Sequence, residues 1–367
     1  MLRIALLTPA AWPETRDEGG RFAIDLAAGL AGRGHRARLI TSHRGPTTRM
    51  VEEGVEIVRW RRPPTGPLER RQFESHLARV PLSYVSLTRY QAEIAHALHP
   101  ADAMAAARWT RRTGRPSLFT APGIVHRRCL VSARRRLQVM LRATAGVSAV
   151  SVWSRLAAEA LQHWLGIDAR VVYPAIALPA MSPAGARAEA PTIFAPVDAG
   201  DSEARLGLLL SGFQRLRREL PDARLLLGRC AATACAQRPA LLAPGVAWVQ
   251  IDSPGGLAGA RGAAWVSALA SCGGAFPFRL VAALACGTPV AAPSEGAVSE
   301  VAGGGGVARL FDPEQEGPEQ VARALREALE DSDDAETRAA CRGRAERFSL
   351  ERSVDAHIAV YRELLAR

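Results

Sequence analysis

Every basic side chain in this sequence is a guanidinium. The 367 residues carry 47 basic positions, all arginine, against 36 acidic ones, for a formal net charge of +11. A guanidinium stays charged and presents a planar fork of donors, so its chemistry is anion clamping and ion pairing, not amine catalysis. A GC-rich coding sequence gives the same arginine excess without any functional demand. Gly19 and Gly20 stand where a polar loop (11–20) feeds a helix-patterned stretch. Glycines there let backbone N–H groups approach a phosphate or a sugar closely, and they equally suit an ordinary loop-to-helix turn. A basic, amphipathic segment runs from His126-Arg127-Arg128 to Arg134-Arg135-Arg136 and on through Arg142. It fits an anionic membrane surface or acceptor face, and it also fits a solvated helix face. No aromatic residues interleave with these charges, so nucleic acid is not an expected partner. Six scattered cysteines (Cys129, Cys230, Cys235, Cys272, Cys286, Cys341) form no CxxC pair. They read as reduced, mostly buried, cytoplasmic thiols rather than zinc ligands or a disulfide framework.

Two cores are expected to position these groups. The length exceeds what one ordinary core organises, and 48% hydrophobic with 23% charged residues is globular composition. The apolar runs are too short for a membrane span, and the start reads as a strand rather than a signal peptide. Strand patterns at 3–8, 37–41, 55–60, 94–97, 117–120, 146–152 and 170–173 alternate with helices, the first over 21–32. Residues 177–191, rich in Ala, Pro and Gly, read as a linker. A second series then places strands at 192–196, 223–227, 246–251, 274–276 and 289–292, with helices at 207–219, 262–271 and 278–285. The predicted class is α/β, two Rossmann-like doubly wound domains with a ligand in the cleft between them.

Particular stretches carry a family resemblance. Ala283-Leu-Ala-Cys-Gly-Thr-Pro-Val290 resembles the donor-site signature of glycosyltransferase family 4, the retaining GT-B enzymes. Glu18-Gly19-Gly20, the helix end Leu30-Ala-Gly-Arg-Gly-His35, the passage from Leu216 to Leu225, Gly296 to Glu300, Phe311-Asp-Pro and the tail from Arg347 to Tyr361 are similar to the family at corresponding places. The resemblance implies a domain over 1–178, rejoined by a terminal helix at about 351–367, and a nucleotide-sugar domain over 190–350.

The resemblance also implies what the site contains and lacks. Family members place one glutamate just before the signature and another eight positions earlier; this sequence has Ala282 and Gly274. The family's diphosphate-holding arginine and lysine correspond to Ala199 and Ala204. Arg205, one residue later, is the candidate substitute, although a one-residue shift turns a helical side chain by about 100°. Arg279 stands in the loop Phe276-Pro-Phe-Arg279 and can either neutralise a phosphate or lie solvated. Glu300 matches a donor-pocket carboxylate, and His96 matches a first-domain histidine with a catalytic or substrate role. The implied partners are a nucleotide-sugar donor and a glycan or lipid-linked acceptor, with no metal cofactor. The implied location is cytoplasmic, with a peripheral seat on the inner membrane face as an addition. Three functions stay open: an active transferase with a rebuilt donor site, a catalytically silent GT-B protein that serves a partner such as an active glycosyltransferase, or transfer from a donor lacking a diphosphate, such as a polyprenyl phosphate sugar.

Overall fold

A computed structural model describes residues 1–11, 18–62, 76–127, 134–178, 186–197, 201–230, 243–251, 253–272, 274–304, 306–314 and 317–367. The chain divides into two compact units. The first comprises Met1–Ala175 with Leu350–Arg367, and the second Ile176–Ser349.

Unit 1 is built on β1 (Arg3–Leu7), α1 (Glu18–Gly32), β2 (Arg36–His43), β3 (Thr48–Glu52) and β4 (Val55–Arg61). A 3-10 turn (His76–Arg79) leads into α2 (Val80–Tyr90), β5 (Ile94–Ala97), α3 (Pro100–Thr113), β6 (Ser117–Ala121), α4 (Arg134–Thr144), β7 (Ala149–Val152), α5 (Arg155–Leu165) and β8 (Arg170–Val171). The sheet order is β3-β4-β2-β1-β5-β6-β7-β8, parallel except for the β3–β4 hairpin. Ile4, Leu6, Ile94, Leu118 and Phe119 are fully buried, as strands covered on both faces require. The terminal helix, α12 in chain order (Leu350–Ala366), packs on α1, and Ser353 Oγ donates to the Tyr173 carbonyl at 2.8 Å.

Unit 2 comprises β9 (Thr192–Val197), α6 (Glu203–Glu219), β10 (Arg224–Cys230), β11 (Val246–Ile251), α7 (Pro254–Ala263), β12 (Val266–Ala268), α8 (Phe278–Ala285), β13 (Val290–Pro293), α9 (Val298–Ala302), β14 (Ala308–Phe311), α10 (Pro318–Ser332) and α11 (Ala335–Glu346). All six strands are parallel, in the order β11-β10-β9-β12-β13-β14. Ile193, Phe213, Leu225, Leu227, Val321 and Leu325 form the core between the sheet, α6 and α10.

Two expected elements are corrected. The helix expected at 262–271 is instead α7, which ends at Ala263, followed by strand β12. Ser253 caps it through a 3.0 Å bond from the Gly256 N–H, with Pro254 in the first turn. Its glycine-rich sequence hid the helix, because glycine has poor helix propensity. The strand expected at 274–276 is a bend. Among the described residues, no helix is long and apolar enough to cross a membrane.

Candidate functional site

In doubly wound sheets the ligand crevice opens outside the carboxyl ends of the strands, where the strand order reverses. In unit 2 that point lies between β9 and β12. The residues leaving β9, β12 and β13 converge there on two arginines.

Arg279 sits in the first turn of α8. Its Nη1 donates to Asp201 Oδ2 at 2.9 Å and to the Pro196 carbonyl at 3.2 Å. Its Nη2 donates to Asp201 Oδ1 at 3.2 Å and to the Ser271 carbonyl at 3.1 Å. The Ser271 hydroxyl also donates to Asp201 Oδ1. The Asp201 carboxylate has no solvent exposure, whereas the Arg279 side chain keeps 18%. Asp201 directly precedes Ser202, whose hydroxyl caps α6 through the Arg205 N–H. The start of α8 spends its amides on itself: Phe278 N–H donates to the Phe276 carbonyl, and Leu280 and Val281 N–H both donate to the Pro277 carbonyl.

Arg205, in the first turn of α6, forms an ion pair with Glu295 and lies 3.8 Å from the exposed Glu314. Glu295 sits in the turn after β13 and also accepts from the Cys272 N–H at 3.4 Å. Burial pushes the Cys272 thiol up to about 12, against an opposing pull from Arg279. It is a space-filling group, not a nucleophile. The positions of the two missing glutamates differ. An added Cβ at Gly274 meets nothing nearer than the Phe276 carbonyl at 4.0 Å, whereas Ala282 is fully buried inside α8. Gly296 has φ +53°, and a Cβ there would stand 2.5 Å from the Gly274 carbonyl, so the two turns close on each other only because position 296 is a glycine.

Arg205 and Arg279 thus lie on one crevice of unit 2, each already facing a carboxylate. Glu300 lies in α9, half-buried, and its carbonyl accepts from Arg344 Nη2 at 2.8 Å. Asp201 and Glu295, the acids that meet the arginines, escaped the sequence reading. A pairing between Asp201 and Arg279 spans 78 residues, and no local pattern announces it.

In unit 1, Gly19 and Gly20 form the first turn of α1. His96 lies within β5, fully buried, with Nδ1 2.7 Å from Tyr361 Oη and Nε2 2.6 Å from Thr120 Oγ1. Thr120 Oγ1 is in turn 2.6 Å from Ser151 Oγ. Both ring nitrogens are occupied, so the ring joins the sheet to α12 and offers no free nitrogen toward a substrate. Burial, then His357 nearby, holds its pKa well below the usual histidine range. At the unit's own switch point, between β1 and β5, buried Arg79 donates from Nη1 to the Thr8 carbonyl at 2.7 Å. Its Nη2 is 3.5 Å from Asp102 Oδ1, which also accepts from Ser83 Oγ at 2.6 Å.

The basic face is α4 and its approach. Arg127, Arg134, Arg136, Leu141 and Arg142 are exposed, and Val139 and Ala143 are buried on the side toward α3. Arg128 and the side chain of Arg135 lie outside the described residues, as do Ala199 and residues 179–185 of the expected linker.

Residues 19–178 match the family model described as Glycosyltransferase Family 4. That stretch is less than half of the chain. The whole chain has the GT-B fold. It is similar to sucrose-phosphate synthase from Thermosynechococcus elongatus (19% identity, 100% of both chains covered, TM-score 0.81). It is also similar to the α,α-trehalose 6-phosphate synthase of Burkholderia multivorans (12% identity, 100% of this chain and 99% of that one, TM-score 0.77). A third similar structure is Anabaena Alr3699/HepE in complex with UDP and glucose (15% identity, 99% and 100%, TM-score 0.73). At these identities the likeness is one of fold. No curated protein matches the chain by sequence.

Proposed function

We propose that the chain is a glycosyltransferase that moves a sugar, with retention, from a nucleotide-sugar donor to a hydroxyl of a glycan, lipid-linked or small-molecule acceptor. The observation that carries this reading is the convergence of Arg205 and Arg279 on the switch point of the second sheet. The family match over 19–178 supports it, as does a fold neighbour that binds UDP and glucose. In such a transfer the anomeric carbon–oxygen bond breaks and its electron pair stays on the leaving phosphate. Guanidinium groups stabilise that growing charge, and each such preorganised contact is worth roughly 3–4 kcal/mol in the transition state. The acceptor oxygen bonds the anomeric carbon and passes its proton to the departing phosphate. The exposed arginines of α4 suit an acceptor presented at an anionic membrane surface.

A second reading is favoured by a specific observation. Gly274 and Ala282 carry no carboxylate for sugar or ribose hydroxyls, and both arginines already face acids of their own unit. A catalytically silent GT-B protein meets these facts without a rebuilt site. Calorimetric titration with a panel of nucleotide sugars, repeated with Arg279→Gln and Arg205→Gln, tests the choice. Micromolar binding weakened by either substitution supports the transferase and directs an acceptor search. Absence of heat at millimolar ligand overturns it.

A further inference from the structure

We propose that Asp201 is a built-in occupant of the diphosphate subsite, a carboxylate latch that a donor's diphosphate must displace from Arg279. The proposal rests on the reading that a donor seats at this switch point. Three facts define the latch. Both Asp201 oxygens face the Arg279 fork, at 2.9 and 3.2 Å, in the two-point geometry by which arginine also holds phosphate. Ser271 contributes a hydroxyl to the same carboxylate, so Asp201 is held by three side-chain donors. The carboxylate is closed to solvent while the Arg279 side chain keeps 18% exposure, so an arriving anion approaches the pair from the arginine's side.

The diphosphate takes the guanidinium bonds and keeps the cation paired, while Asp201 keeps the Ser271 hydroxyl and its freed carboxylate turns to solvent or takes up a proton. Apart from that proton, only hydrogen bonds are exchanged. Arg205 stands one helical turn beyond Asp201 and carries its own acid, Glu295, so each of the two arginines is paired with a carboxylate. A site competent only about a tenth of the time shows about tenfold weaker apparent affinity. Removing the latch recovers that factor.

The test is calorimetric titration of wild-type, Asp201→Asn and Asp201→Ser proteins with UDP, GDP, ADP and inorganic pyrophosphate at fixed ionic strength. The expected result is a gain of about tenfold or more in affinity for a diphosphate, abolished when Arg279→Gln is added. Ser271→Ala, which removes one donor and keeps the ion pair, gives a smaller gain and serves if the Asp201 variants fail to fold. Equal binding by wild type and all variants overturns the latch and leaves the donor-site reading standing. A gain that survives Arg279→Gln also overturns it, because the anion then binds elsewhere. Binding by the variants alone supports the latch and removes the native protein from the nucleotide-sugar enzymes. Binding by none of the folded proteins overturns both.

Discussion

His357 makes unit 1 acid-sensitive, and substituting it with leucine removes a defined part of that sensitivity. The ring is fully buried on α12, between Phe22 (centroids 6.1 Å), His96 (5.4 Å) and Tyr361 (6.2 Å). Its Nδ1 donates to the Ser353 carbonyl at 2.7 Å, and its Nε2 has no hydrogen-bond partner among the described residues. Burial lowers its pKa from 6.5 to about 4, partly offset by the Ser353 bond. The folded ring stays neutral while the unfolded one takes a proton below pH 6.5. Stability is therefore fully present above that pH and falls with acidification down to about 4. One proton of difference costs about 1.4 kcal/mol per pH unit, which amounts to about 3 kcal/mol over the whole window. His96 is depressed in the same direction, so it adds to the acid sensitivity of unit 1.

The assay is urea unfolding at half-unit steps from pH 7.5 to 5, for wild type and His357→Leu. Leucine removes the unpartnered nitrogen and keeps the apolar contacts, so stability at pH 7.5 changes by less than about 1 kcal/mol. Because the substitution lies in unit 1, the difference between the two proteins cancels whatever unit 2 contributes. The expected outcome is a gap that widens in favour of leucine by about 1.4 kcal/mol for each pH unit below 6.5. Parallel curves for the two proteins down to pH 5 would refute the assignment of His357 as a buried neutral ring.

Gly274→Glu, entering open space, leaves the unfolding free energy in urea within about 0.5 kcal/mol of wild type, whereas Ala282→Glu, at a fully buried position, costs several kcal/mol. Restoring the family's two glutamates is thus tolerated at one position and not at the other, and the same melts distinguish them. Gly212→Ala puts a methyl 2.5 Å from Val321 Cγ1 where α6 crosses α10, and lowers unit 2 stability by about 1–3 kcal/mol in equilibrium unfolding. Arg79→Met strands buried Asp102 and costs about 3–5 kcal/mol; adding Asp102→Asn recovers part of that loss in a double-mutant cycle.

The sequence was legible where one element carries a complete signal. The strands Ile94–Ala97 and Val246–Ile251 and the helix Phe278–Ala285 stand within the bounds that periodicity assigned. The helix is closed by Gly287 at φ +73°, a conformation that glycine supplies without strain. The hairpin strand Thr48–Glu52 was missed because its side chains are almost all exposed, leaving no alternation to read. In the site, the arginines were visible because a motif brackets them, whereas Asp201 and Glu295 were not. Ion-pair partners are chosen by the fold, through loops that meet only when β9, β12 and β13 lie side by side.

Both units solve the same electrostatic problem at their switch points, and the difference between the solutions separates a pin from a gate. In each, an arginine meets an aspartate that also accepts a serine hydroxyl: Arg79–Asp102–Ser83 and Arg279–Asp201–Ser271. A buried pair of this kind adds little stability over apolar packing, yet removing one member is costly. Such a pair therefore persists only while the cation keeps an anion. In unit 1 both members are at most 2% exposed and Arg79 is tied to the β1 end through the Thr8 carbonyl, so no other anion can reach it. In unit 2 only the carboxylate is sealed, and the Arg279 side chain keeps 18% exposure. A phosphate arriving there replaces one anion by another at the cation, and the charge left over is that of the Asp201 carboxylate. The displacement barrier is therefore set by the hydrogen bonds to Asp201 and by moving its carboxylate to solvent or protonating it, not by desolvating a cation, which is what makes the latch an exchangeable part of the site.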